Sequence, residues 1–137
     1  MKYKKGIIAG SFDIIHPGYI QMFIEAKENC DHLIIALQDD PTIDRPHKLK
    51  PIQSWKERKE ILNSIKYIDE ILYYSTEKQL YDLLKNTTYD VRILGSDYIN
   101  KSFTGDDLNK KIYFCKREHN YSLTDLKNRI YNSLKDK

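Results

Sequence analysis

The sequence predicts an α/β protein built on a five-stranded, doubly wound parallel sheet, and three observations carry that prediction. Five short apolar runs recur along the chain, each separated from the next by a helical or polar stretch. The first, Gly6-Ile7-Ile8-Ala9, is small and β-branched with no polar alternation, the pattern of a strand buried on both faces. It stops at Gly10, and a helical spacing begins a few residues later with Ile20, Phe23, Ile24 and Lys27.

Strand, tight turn, helix is therefore the opening unit. Gly10 lets the chain turn sharply and leaves room for a ligand to approach the backbone. Pro17 suits a first helical turn, where its missing N–H would have had no partner, so His16 falls at a helix N-terminus. That end carries free N–H groups and a partial positive charge, which suit a phosphate. The helix is expected to end near residues 28 to 30, and His32 to Leu37 forms a second buried strand, completing a right-handed βαβ unit.

Residues 38 to 53 have no sustained period and hold Pro41, Pro46 and Pro51 among Asp39, Asp40, Asp44, Arg45, His47, Lys48 and Lys50. A loop of this length is either a solvated surface segment or a basic flap over a polyphosphate. Ser54-Trp55-Lys56-Glu57 then reads as a capping box starting a helix whose contacts come from Trp55, Ile61, Leu62 and Ile65. Ile68 to Tyr74 gives a third strand, and Thr76 to Lys85 a helix with Leu80, Leu83 and Leu84 inward. Asp90 to Tyr98 is the fourth strand, running into Gly95 and Asp97, which are also common strand-ending turn residues. After a polar loop, Ile112-Tyr113-Phe114 is the fifth strand. Ser122 then caps a last helix over Thr124 to Leu134.

The 137 residues suffice for one domain, 1 to 137, with a core that needs neither disulfides nor a structural metal. The formal net charge of +3 is small and the basic residues are interspersed with acidic ones, so a nucleic-acid partner is not indicated, whereas anionic small molecules fit. Cys30 and Cys115 are isolated, without zinc-ligand or disulfide-framework spacing, which suits a reducing cytoplasm. The charged start, Met1 to Lys5, is followed by only four apolar residues, so neither a secretion signal nor a membrane partner is expected.

Gly10-Ser11-Phe12-Asp13, followed by His16-Pro17-Gly18-Tyr19-Ile20, resembles the G-[TS]-F-D-x-x-H-x-G-H-[IV] signature of the cytidylyltransferase family, part of the HxGH nucleotidyltransferase superfamily. Glycerol-3-phosphate cytidylyltransferase is its compact single-domain type. The likeness continues through Lys48, Pro51, Glu57-Arg58 and Lys66 to Glu70, then Gly95, Asp97 and Tyr98. Near the end, Arg117, Ser122 and Thr124 match the family's R-T-E-G-I-S-T-T segment while the residues between Arg117 and Ser122 do not. The resemblance implies a Rossmann-like sheet of order 3-2-1-4-5 and a homodimer. It also implies transfer of a cytidylyl group from CTP to a small phosphorylated acceptor, glycerol 3-phosphate or another precursor of cell-surface polysaccharide, with release of pyrophosphate.

By the same resemblance His16, Tyr19, Lys48 and Arg117 carry the chemistry, with Lys50 a lesser candidate. Gly10, Ser11, Phe12, Gly18, Gly95, Asp97, Tyr98, Ser122 and Thr124 bind the nucleotide. Mg²⁺ arrives with the triphosphate, Asp13 assists it at most indirectly, and no protein metal site is expected. Tyr19 stands where the family has its second histidine, and it offers a neutral hydroxyl in place of a titrating imidazole. The departure leaves three readings: a different donor geometry, a pocket shaped for another acceptor, or a weak relative that binds nucleotide for regulation. The same chemistry with ATP is a further alternative.

Overall fold

The computed structural model describes residues 2–136. Its strands are β1 (Tyr3–Gly10), β2 (Cys30–Gln38), β3 (Glu70–Tyr74), β4 (Val91–Gly95) and β5 (Lys111–Cys115), paired in parallel in the order β3-β2-β1-β4-β5. The helices are α1 (Pro17–Asn29), α2 (Trp55–Asn63), α3 (Glu77–Asn86) and α4 (Leu123–Lys135). The expected fold class, Rossmann-like sheet and strand order are all present.

The unbroken apolar runs are explained by what covers each face. Strand side chains alternate, so Ile8 points to one side with Leu33 and Ile35, where Phe23 and Ala26 of α1 and Leu62 of α2 meet them. Ile7, Ile34 and Ala36 point to the other, where Leu80 and Leu84 of α3 close the layer. Burying each of these large side chains contributes about 1.5–3 kcal/mol. Within α1 the buried residues are Gly18, Phe23 and Ala26, whereas Ile24, part of the same helical spacing, is 37% exposed.

The capping box at Ser54 forms as read, with Ser54 Oγ accepting from Glu57 N–H and Glu57 Oε1 accepting from Ser54 N–H. The fourth strand is shorter than expected. Its pairing with β5 ends at Gly95 opposite Cys115, and residues beyond it, having no strand to bond, wind into a single 3₁₀ turn over Ser96–Tyr98. Asp97 folds back there, and a Cβ on Gly95 would lie 2.6 Å from its Oδ1. Cys30 and Cys115 are both buried free thiols. Among the described residues no helix is long and apolar enough to cross a membrane.

Candidate functional site

Strand β1 lies between β2 and β4, so the connections after β1 and β4 leave in opposite directions and open a crevice at the carboxyl ends of these strands. The Gly10–His16 turn forms its floor. Phe12 (φ 48°) and Ile14 (φ 53°) both hold left-handed backbone there, which costs about 1–2 kcal/mol for each L-residue. Asp13, 1% exposed, holds the turn in that shape. Its two carboxylate oxygens accept N–H bonds from Ile52 (2.7 Å) and Gln53 (3.0 Å), with Lys127 Nζ 3.5 Å away, and Gln53 Oε1 accepts from Ile14 N–H. Asp13 is thus committed to the backbone.

His16 caps α1 through its ring: Nδ1 accepts the N–H of Gly18 at 3.1 Å. That bond requires an unprotonated Nδ1, so the neutral ring carries its proton on Nε2. The ring stacks on Tyr19 at 4.0 Å between centroids, and Tyr19 meets Phe12 edge-on at 5.3 Å. A second imidazole arrives from the β5–α4 connection. His119 Nδ1 accepts the N–H of Tyr121 at 3.1 Å, an arrangement that again leaves the proton on Nε2. A Cβ on Gly18 would strike both rings, His119 at 2.6 Å and His16 at 2.9 Å, so only glycine lets the two meet over the helix end. Burial, then the like-charge repulsion a protonated His16 would meet from His119 and Arg117, hold its pKa below the ordinary value. Burial and Asp13 push the Tyr19 hydroxyl upward, keeping it neutral.

A cavity of about 320 Å³ sits over this helix end and gathers Gly10, Ser11, Phe12, His16, Gly18, Tyr19, Gly95, Asp97, Tyr98, Arg117 and Ser122. His119 and Tyr121 line it too, although sequence reading assigned them no role. No signal in one sequence singles out His119, because it lies in the stretch that fails to match the family pattern. Lys48 is not in this cavity. It lines a neighbouring cavity of about 590 Å³, which shares Gly10, Ser11, Phe12 and Tyr19 with the first. Thr124 lies in a separate hollow with Lys48, Asp13 and Lys127. Lys50 is 77% exposed and faces Asp40 at 3.7 Å.

This fold, with a helix end suited to phosphate at the switch point of its sheet, defines a protein of the nucleotidyltransferase-like class. A sequence model of the family described as cytidylyltransferase-like matches residues 7–129, and the chain belongs to that family. It is 33% identical over 106 residues to the FAD synthase of Pyrococcus horikoshii, covering 77% of this chain and 70% of that protein. It is 32% identical over 106 residues to the bifunctional protein HldE of Hyphomonas neptunium, covering 77% of this chain but 22% of that protein. The chain therefore spans about a fifth of the length of the HldE relatives. The lipopolysaccharide core biosynthesis protein of Thermoplasma volcanium shares the fold with a TM-score of 0.65 at 20% identity, covering 88% of this chain and 99% of that one. The bifunctional NMN adenylyltransferase/ADP ribose pyrophosphatase of Francisella tularensis does so at 0.63 and 21% identity, covering 95% of this chain and 42% of that one.

Proposed function

We propose that the protein transfers a nucleotidyl group from a nucleoside triphosphate to a small phosphorylated acceptor. The observation that supports this reading most is the pair of imidazoles over Gly18, each with Nδ1 occupied by a backbone N–H and Nε2–H left to donate. An acceptor phosphate oxygen attacks the α-phosphorus, the bond from that phosphorus to the β-phosphate oxygen breaks, and pyrophosphate leaves. The attacking oxygen is already anionic, so no base is needed, and the protein's work is alignment and neutralisation of developing charge. His16, His119, Arg117 and the α1 N-terminus are the donors available for that charge.

Among the described residues no three His, Cys, Asp or Glu side chains cluster as a metal cage. Mg²⁺ accordingly enters this reading as the triphosphate's own counter-ion. Tyr19 acts as the stacked support of His16, which makes His119 the second imidazole in place of the one that the family motif supplies at this position. Lys48 reaches the triphosphate from the 46–50 stretch at the mouth of the larger cavity, and a homodimer is part of the same proposal by family resemblance.

CTP is the first reading of the nucleotide, from the family's own description. ATP is the second, favoured by the similarity to an FAD synthase, since FAD contains an adenylyl group. Pyrophosphate release, followed with CTP and with ATP against a panel of phosphorylated metabolites that includes glycerol 3-phosphate, tests both. Release with one nucleotide selects it. Tight nucleotide binding without release from any acceptor would leave a nucleotide-binding regulator instead.

A further inference from the structure

The larger cavity begins at the wall it shares with the His16 cavity and runs away from it, and its far end is built by β4, α3 and the 99–110 loop. Arg92 of β4 stands opposite Ile7 of β1, three residues short of Gly10 and so about 10 Å deeper along the sheet. Its side chain is 5% exposed. One of its donors, Nη1–H, bonds the Thr104 carbonyl at 2.7 Å, and the ring of Phe103 lies 5.5 Å from the guanidinium carbon. Its Nε is buried with no partner, and among the described residues no carboxylate lies within ion-pair distance of it.

The neighbouring charges compensate it only in part. Arg45 Nη2 is 2.5 Å from Glu77 Oε1, and the other Glu77 oxygen accepts from the Thr104 hydroxyl at 2.8 Å. Glu77 is paired with Arg45 and acts on Arg92 only at longer range, so among the described residues Arg92 has no ion-pair partner of its own. A buried guanidinium cannot shed its proton, and holding it out of water without a counter-charge is strongly unfavourable. Gln38, Glu77 and Thr104 bring hydrogen-bonding groups of both kinds to the same walls, as hydroxyl groups of a ligand require. A volume of about 590 Å³ is ample for a sugar-sized molecule.

We propose that this cavity is the acceptor site, and that its acceptor is a sugar or polyol phosphate carrying a second anionic group, carboxylate or phosphate, which Arg92 binds at the end remote from the reacting phosphate. The proposal rests on the nucleotidyl-transfer reading. The nucleophile must approach the α-phosphorus from the side opposite the leaving pyrophosphate, and the two cavities meet at Gly10 to Phe12 and Tyr19. The backbone of Arg92 lies about 10 Å further along the sheet, so a molecule that reacts there and meets the guanidinium lies along the larger cavity.

Calorimetric titration of the full chain with glucose 1-phosphate, glucuronic acid 1-phosphate and glucose 1,6-bisphosphate tests this. The three share a ring and a 1-phosphate and differ only at C6. At least one acidic probe should bind about tenfold or more tighter than glucose 1-phosphate, the scale of a charge-assisted hydrogen-bond pair, and the tighter of the two identifies the second group. That preference should vanish in Arg92→Met, whose folding is checked by its melting curve. Should Arg92→Met not fold, Arg92→Gln, which keeps an N–H donor for the Thr104 carbonyl and removes only the charge, substitutes for it with the same expected loss of preference. Equal affinity for all three probes, no binding of any, or a preference that survives in a folded Arg92 variant would each overturn the proposal. CTP and ATP titrated into the same sample report the other cavity. A chain that binds nucleotide and releases pyrophosphate with uncharged-tail acceptors sinks only the Arg92 proposal, whereas one that prefers the acidic probes but binds neither nucleotide sinks the transfer reading.

Discussion

Gly18 is the contact point of two imidazoles that lie about a hundred residues apart in the chain, and both are held in one tautomer by a backbone N–H two residues on. His16→Ala and His119→Ala should each lower turnover by about a hundredfold with CTP or ATP affinity little changed, because donors to developing charge act in the transition state. Single-turnover kinetics on the folded variants checks this, and a His119→Ala enzyme at wild-type rate would remove His119 from the chemistry. The lowered His16 pKa also sets a pH dependence. Protonating Nδ1 breaks the Gly18 bond, so kcat/KM should fall on the acid side with a midpoint below the ordinary value of about 6.5. Stability follows the same direction: the unfolded state takes up its proton first as pH drops below about 6.5, so the folded state loses ground there and not above. Tyr19 contributes its ring, stacked at 4.0 Å on His16. Tyr19→Phe should keep turnover within about threefold, and Tyr19→Ala should lose up to about tenfold, the worth of one aromatic pair, in the same assay.

At the scale of elements, the 38–53 loop is neither a free flap nor plain surface. Its early part is tied to α3, with Arg45 on Glu77 and Asp44 Oδ2 accepting from Glu77 N–H, and its end is tied to the Asp13 carboxylate. Between these anchors residues 46–50, Lys48 among them, are exposed. Ligand-dependent ordering is therefore expected in that short stretch. Hydrogen exchange with nucleotide and Mg²⁺ present should slow at the amides of residues 47–50 and change little at those of Arg45, Ile52 and Gln53, whose N–H bonds to Pro41 and Asp13 already exist. Unchanged exchange at 47–50 would leave Lys48 without a role in binding.

Across the molecule, Arg58 joins the strand ends to the helix that follows the loop. It is 1% exposed, and its guanidinium donates to the carbonyls of Ser11 (2.8 Å), Gln38 (2.6 Å), Asp39 (2.8 Å), Gln53 (3.1 Å) and Ser54 (3.3 Å). Removing it leaves the buried Gln38 carbonyl and the part-buried Ser11, Asp39 and Gln53 carbonyls without this donor, at about 1–3 kcal/mol for a buried one, so Arg58→Met should lower unfolding free energy by about 3 kcal/mol. Urea denaturation should show a lower midpoint at an unchanged slope. A midpoint within experimental error of wild type would mean that water replaces all five bonds.

The helices, strands and opening turn were legible because their signals are local: two-sided apolar runs, the Ser54 capping box and the glycine before His16. Most of the His16 cavity was legible for a different reason, since short motifs end on strands that the fold brings to one edge. Tertiary structure alone decided the rest. The left-handed backbone at Phe12 and Ile14 persists because Asp13 and Gln53, forty residues apart, hold it. His119 reaches Gly18 through the path of the β5–α4 connection, and among the described residues Arg92 has no ion-pair partner while Arg45 holds Glu77. Periodicity records which face a residue turns to its own element's neighbours. It carries no record of which distant side chain will stand opposite, and that meeting is what makes a strained turn, a second imidazole or an unpaired charge.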